Sequence, residues 1–343
     1  MRPLIALRTI IVWCIICFPF LLIAQEESRA GKINGVSIWS DSTSRTVEDF
    51  NFLEGSNASW VAFHPLGLVN DSEVGVEFDY TGTWECSSFD GLANNIRISK
   101  ELGYMVFIKP HLLLKYTTSG AWVGDLKLSN NSSENAFRET YLNYIIELAK
   151  LCDSLEVEML SLGTEMTKFV EDNPGYWQEL IDSTTANYNG LITFSANFDA
   201  YQKYFYWDQM DIIGIDAYFT LNKSENADLN ACREDWIPIA ETIEQFSKAC
   251  KKPVLFTEYG YMSADKCAYR PFEQQSANVN LVAQANAYRA LFDTFWHEPW
   301  FGGGFSWIWG YDNTLPENYD NVGYSPQNKP AQNIISKYYK IYR

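Results

Sequence analysis

The chain is short of histidine, with 3 residues, and short of positive charge, with 26 Lys and Arg against 43 Asp and Glu, for a net charge of −17. A strongly acidic surface is repelled by phosphate backbones, so this balance argues against a nucleic-acid partner, whereas a neutral polymer meets no such barrier. His64, His111 and His297 are too few and too scattered along the chain for a zinc site. Cysteine is sparse as well. Cys14 and Cys17 fall within the first 24 residues, and no CxxC pair occurs among Cys86, Cys152, Cys232, Cys250 and Cys267. That odd set leaves at least one free thiol or an intermolecular bridge. A Cys232–Cys267 disulfide is compatible with the spacing without being required by it, and Cys152 and Cys250, late in predicted helices, read as small buried apolar residues. Gly35-Val36-Ser37-Ile38-Trp39 is not a glycine-rich phosphate turn, and the acidic stretch 312–321 lacks calcium-loop spacing. We therefore expect no metal and no cofactor.

Long apolar runs are missing beyond residue 24. The single one, residues 10–23, follows Arg2 and Arg8 and ends at the small residue Ala24. Its length of about 14 residues is short for a spanning helix, which needs roughly 20, and the pattern reads as a signal peptide over residues 1–24. The expectation is a secreted or periplasmic protein without stable membrane insertion, working as a monomer.

The remaining residues, 25–343, suit one large domain, since a (β/α)8 TIM barrel with long loops has this size. Short apolar runs at 33–39, 60–63, 104–108, 157–162, 191–195, 211–215, 254–256 and 303–309 alternate with helical patterns. The clearest helix is 134–152, where Phe137, Tyr141, Tyr144, Ile145, Leu148 and Cys152 share a face and Ser133 is the candidate N-cap. Continuous rather than alternating apolar runs mark strands buried on both faces. Eight repeated βα units point to an α/β fold closed as a single-domain (β/α)8 barrel, in preference to a doubly wound open sheet.

In such a barrel the carboxyl ends of the strands face the active-site mouth. Those ends bring Ser37 and Trp39, His64, Lys109 and His111, Glu165, Asn197, Asp216 and Tyr218, Glu258, and Trp307 with Trp309. Glu165 and Glu258 end strands four and seven, well apart around the ring. Glycoside cleavage needs two such carboxyl groups, one to protonate the leaving oxygen and one to attack the anomeric carbon or activate water. The 12 tryptophans, beyond those needed in the core, suit stacking on sugar rings.

The segments Ile108-Lys109-Pro110-His111, Leu162-Gly163-Thr164-Glu165-Met166, Gly190-Leu191-Ile192-Thr193-Phe194-Ser195-Ala196-Asn197, Ile213-Gly214-Ile215-Asp216-Ala217-Tyr218-Phe219, Phe256-Thr257-Glu258-Tyr259-Gly260-Tyr261, Tyr324-Ser325-Pro326 and Lys329-Pro330-Ala331 together resemble glycoside hydrolase family 113, within the clan A retaining barrel glycosidases. The resemblance covers nearly all of the chain after the leader. It implies β-1,4-mannanase activity through a covalent glycosyl-enzyme, with Glu165 as acid/base and Glu258 as nucleophile. Many clan A enzymes carry Asn before the acid/base to bond the sugar 2-hydroxyl. This chain has Thr164 there, and Asn197 is the candidate replacement. Tyr218 is expected to donate a hydrogen bond to Glu258, Lys109 and His111 to bond sugar hydroxyls, Trp309 to form the stacking floor and Trp307 to point into the barrel or its wall, with Trp39 and Asp216 completing the substrate-binding set. Trp84 and Trp122, on long loops, either line outer subsites or pin their loops. The substrate is expected to be a polysaccharide or oligosaccharide. Other β-glycans (glucan, xylan) and a non-catalytic glycan-binding barrel are the competing readings.

Overall fold

A computed structural model describes residues 31–38, 45–70, 75–79, 88–115, 122–128, 130–311 and 321–343. Residues 1–24, where a signal peptide is expected, lie outside these, as do Trp39, Trp84, Cys86 and residues 312–320. Eight parallel strands close a barrel: β1 (Ile33–Ile38), β2 (Trp60–Phe63), β5 (Met105–Ile108), β7 (Met159–Thr164), β8 (Leu191–Asn197), β9 (Ile213–Asp216), β10 (Val254–Tyr259) and β11 (Phe301–Trp309). They follow one another around the ring in chain order, as a repeated right-handed βα unit requires. The main helices are α1 (Phe89–Glu101), α2 (Asn131–Ser154), α3 (Thr167–Asp172), α4 (Pro174–Thr185), α5 (Leu229–Cys250), α6 (Leu281–Phe295) and α7 (Pro330–Ile341). Among the described residues, the connections after β1 and β8 hold only 3-10 turns, at Val47–Leu53 after β1 and at Tyr201–Lys203 and Trp207–Gln209 after β8. None of the described helices is long and apolar enough to cross a membrane.

Two expectations about local structure change. The N-cap of α2 is Asn130, whose side chain accepts from the amides of Ser132 and Ser133, so the helix starts earlier than the apolar spacing suggested. The stretches after β2 and β5, expected as loops, carry a second sheet of β3 (Leu66–Asn70), β4 (Gly75–Glu77) and β6 (His111–Leu114), in the order β4-β3-β6. Pro65 and Pro110 explain the break. Each lacks an amide donor, so the ladder is interrupted at matching positions, with Lys109 N–H bonding Phe63 O and His111 N–H bonding Pro65 O on either side. The chain then turns out of the barrel and builds one wall above its mouth.

Two apolar clusters hold the fold. The larger lies between barrel and helices. The smaller fills the barrel's lower interior with Trp60, Ala62, Phe107, Met159, Ile212, Leu255 and Phe305. Phe305 sits at its centre, 4.9 Å from the Phe107 ring and 6.3 Å from Trp60. Gly35 makes room for it, since a Cβ there would lie 2.2 Å from the Phe305 ring. Cys152, Cys232, Cys250 and Cys267 are free thiols, so the Cys232–Cys267 bridge is not formed; Cys250 is only half-buried.

Candidate active site

Inward-facing residues alternate along each strand. Following that period upward from the apolar plug leads from Trp60 and Ala62 to His64, from Phe107 to Lys109, from Ile212 to Asp216, from Leu255 to Thr257, and from Phe305 to Trp307. The mouth is thus the continuation of the core by one more layer of different chemistry. Two residues depart from the period. The β9–β10 register shifts between Phe256 and Glu258, which brings Glu258 to the mouth beside Thr257. Glu165 follows β7 with φ of 57°, a left-handed conformation that non-glycine residues adopt at a cost of about 1–2 kcal/mol. Its amide is held by Ser195 O at 2.7 Å.

Glu165 and Glu258 both line one cleft of about 810 Å³. Its lining includes His111, Leu112, Trp122 and Val123, Asn197, Phe198, Asp199 and Phe272, and Trp307, Tyr218 and Tyr324. Around Glu258, Lys109 Nζ bonds Oε1, His111 Nε2 lies 3.2 Å from Oε1 without hydrogen-bond alignment, and the Tyr218 hydroxyl donates to Oε2 at 2.8 Å. Burial alone would raise the Glu258 carboxyl. The Lys109 ammonium outweighs it and holds the group well below the usual carboxylate range. Glu165 meets the opposite balance. Burial, reinforced by the Glu258 charge, pushes its carboxyl up to about 7, with the Trp122 indole N–H bonded to Oε2 pulling the other way. One carboxyl group is therefore kept ionised and the other kept protonated near neutrality, the division of labour that acid–base and nucleophilic steps demand.

The structure relocates several residues expected to bind sugar. Lys109 and Asp216 are fully buried and bond each other at 2.9 and 3.0 Å, so neither lines the cleft. Trp309 is fully buried in the outer core, its indole bonded to Ser306. The β1–β11 register slips by one residue between Ser306 and Trp309, which moves Trp309 to the other face. Trp307 lines the cleft instead, its ring 5.7 Å from His111 and nearly parallel to it, and edge-on to His64 at 5.0 Å. Gly260 permits this approach, as a Cβ there would come within 2.5 Å of Trp307 O. His111 and Asn197 line the cleft, and Asn197 Oδ1 accepts from the Phe198 amide. Thr164 spends its hydroxyl on Pro110 O at 2.8 Å. Trp39 lies outside the described residues.

His64 and His111, far apart in sequence, meet here with ring centroids 4.8 Å apart. One donor atom from each and one from Glu258 lie within 4.8 Å of one another. That is wider than the shell of a first-row metal with bonds of about 2.0–2.2 Å, and the Lys109 ammonium already occupies the cation's place on Glu258. Burial lowers both imidazoles, so each is neutral.

A parallel barrel with two glutamates lining one cleft at the strand carboxyl ends has the arrangement glycoside cleavage needs. The sequence matches Glycoside Hydrolase Family 113 over residues 37–329, and the chain belongs to that family. Among solved structures it is similar to a GH113 β-1,4-mannanase (TM-score 0.77, 23% identity, 90% of this chain and 99% of that one). It is equally similar to the GH113 β-mannanase from Alicyclobacillus acidocaldarius in complex with ManMIm (TM-score 0.77, 22% identity, 91% and 98%). A Glycoside Hydrolase Family 5 mannosidase from Rhizomucor miehei is more distant (TM-score 0.57, 11% identity, 91% and 93%). A search of curated protein sequences gave no match.

Proposed function

We propose that the protein is a retaining β-mannanase that cleaves β-1,4-mannosidic linkages, with Glu258 as nucleophile and Glu165 as acid/base. The observation that carries this reading is two glutamates facing one cleft, Glu258 bonded by Lys109 and Tyr218 and Glu165 by the Trp122 indole. In the first step a lone pair of Glu258 forms a bond to the anomeric carbon. The glycosidic C–O bond breaks, and its electron pair stays on the leaving oxygen, which takes the Glu165 proton. In the second step Glu165 removes a proton from water, the water oxygen bonds the anomeric carbon, and the ester bond pair returns to Glu258. Tyr218 supports the ionised nucleophile as a neutral donor, since burial and the Glu258 charge keep its phenol protonated.

The substrate class follows from the lining. Among the described residues, the cleft wall offers four carboxylates and no Lys or Arg, which suits a neutral hexose and gives a uronate carboxylate no partner. Trp307 supplies the stacking surface, and Asn197 is the amide placed to meet a sugar hydroxyl now that Thr164 is engaged elsewhere. Residues 1–24 would carry the enzyme out of the cell to a polymeric substrate. Glu258→Ala should abolish hydrolysis of mannan and of an aryl β-mannobioside, and azide should restore cleavage of the latter as a glycosyl azide. Full activity in Glu258→Ala would overturn the assignment.

A further inference from the structure

Resting on that assignment of Glu258, we infer that Lys109, braced by Asp216 and Thr257, is a positioning residue that fixes the charge and orientation of the nucleophile through Oε1. Lys109 has no exposed surface and cannot reach a sugar. Its ammonium instead bridges two strands. It bonds both oxygens of Asp216 on β9 and Oε1 of Glu258 on β10. Thr257, the residue before the nucleophile, donates its hydroxyl to Asp216 Oδ1 at 2.8 Å. The brace therefore closes a ring: Lys109 to Asp216, Asp216 to Thr257, and Thr257 by the backbone to Glu258. A buried ammonium with three acceptors and no solvent has one place to sit, and so has the carboxylate it holds.

This arrangement divides the two oxygens of Glu258. Oε1 is bonded by Lys109 and approached by His111, while Oε2 accepts from Tyr218. Oε2 keeps a lone pair free and is the oxygen that attacks; Oε1 is the anchor. When the glycosyl ester forms on Oε2, Lys109 remains on the carbonyl Oε1. It is then in place to stabilise the carboxylate that departs when water attacks, so its contribution extends to both halves of the reaction.

The charge count supports the same role. Facing Glu258 are Lys109 from the end of β5, His111 from β6, His64 after β2, Asp216 from β9, Glu165 after β7 and Tyr218 after β9. Tyr324 also lies nearby and is held neutral, pushed up chiefly by burial. The two imidazoles are neutral, and the Tyr218 phenol is protonated. Lys109 is thus the cation that serves Asp216 and Glu258 together. Burial would lower it, but the two carboxylates outweigh burial and keep it charged. Asp216 is pushed up by burial first and by Glu258 second, with Lys109 opposing; both its oxygens accept hydrogen bonds, the arrangement of the ionised form, so the pull of Lys109 is the one the geometry supports.

The test is the acid limb of the kcat/KM profile, which falls as Glu258 takes a proton. Removing the cation raises the pKa of Glu258, so in Lys109→Met the limb should move up by about one to three pH units, with activity lost most steeply at low pH. Lys109→Met/Asp216→Asn, which removes one carboxylate along with the cation and so guards against misfolding, should place the limb between wild type and the single variant. A uniform fall in kcat with the limb unmoved in both variants would mean that Lys109 only supports the fold, and would overturn the inference. Glu258→Ala with azide separates the two levels. If that variant is inactive and azide-rescued while the limb stays fixed, only the role of Lys109 fails; if Glu258→Ala is active, the assignment beneath it fails.

Discussion

The lower and upper halves of the barrel interior are built by the same strands, two residues apart, and obey opposite rules. Below, Trp60, Phe107, Met159, Leu255 and Phe305 pack as an apolar plug. Above, Lys109, Asp216, Thr257 and Glu258 are just as buried and are joined to one another by charge and hydrogen bond. The plug stabilises the fold by dispersion and by removal of apolar surface from water. The charged layer must first overcome desolvation, and its net return to stability is small or negative. On the proposed assignment of Glu258, what it provides instead is a nucleophile whose charge and direction are fixed before substrate arrives.

That contrast can be broken from below. Phe305→Ala removes the ring at the centre of the plug and should cost about 3–5 kcal/mol of stability, read by denaturant or thermal unfolding, while the pH profile of whatever folds keeps its limbs. A shift of the acid limb in Phe305→Ala would show that the two layers are not separable. The contrast can be sharpened from above. Lys109→Met alone leaves buried carboxylates without a cation and should destabilise by about 3–5 kcal/mol at neutral pH, whereas Lys109→Met/Asp216→Asn should return to within about 1–2 kcal/mol of wild type. Equal losses in both would place the Lys109–Asp216 pair among the supports of the fold. The smallest expected effect is at the rim. The Trp122 indole N–H favours the ionised form of Glu165, so Trp122→Phe raises the Glu165 pKa. With Glu165 as the proposed acid, activity should fall as pH rises through about 7, so this variant should carry the alkaline limb upward and leave the acid limb in place.

The plug and the barrel were legible because they rest on local patterns. Eight apolar runs separated by helical spacing specify parallel strands, and the carboxyl ends then locate the mouth. Glu165 and Glu258 stood out because each ends such a run. The layer between was less legible, for identifiable reasons. The pairing of Lys109 with Asp216 joins residues 107 positions apart, and a sequence gives no distance across a barrel. Lys109 therefore read as a sugar ligand, because a strand-end lysine looks the same whether it faces the cleft or a buried partner. The exchange of Trp307 and Trp309 came from a single-residue register slip, which period-2 reasoning cannot anticipate. The small sheet was hidden in what read as loops, although Pro65 and Pro110, each followed by a short apolar run, were its signal. Trp122 gave no sign that its indole would reach Glu165 from a loop.

The central claim is that Glu258 is the attacking group in a double displacement. Incubation with a 2-deoxy-2-fluoro-β-mannosyl fluoride, followed by proteolysis and mass spectrometry, reads it directly. The expected result is a stable fluoroglycosyl adduct on the peptide containing Glu258, at the carboxyl of that residue. An adduct on Glu165, or turnover of native substrate by an enzyme that forms no adduct and releases the inverted anomer first, would contradict it.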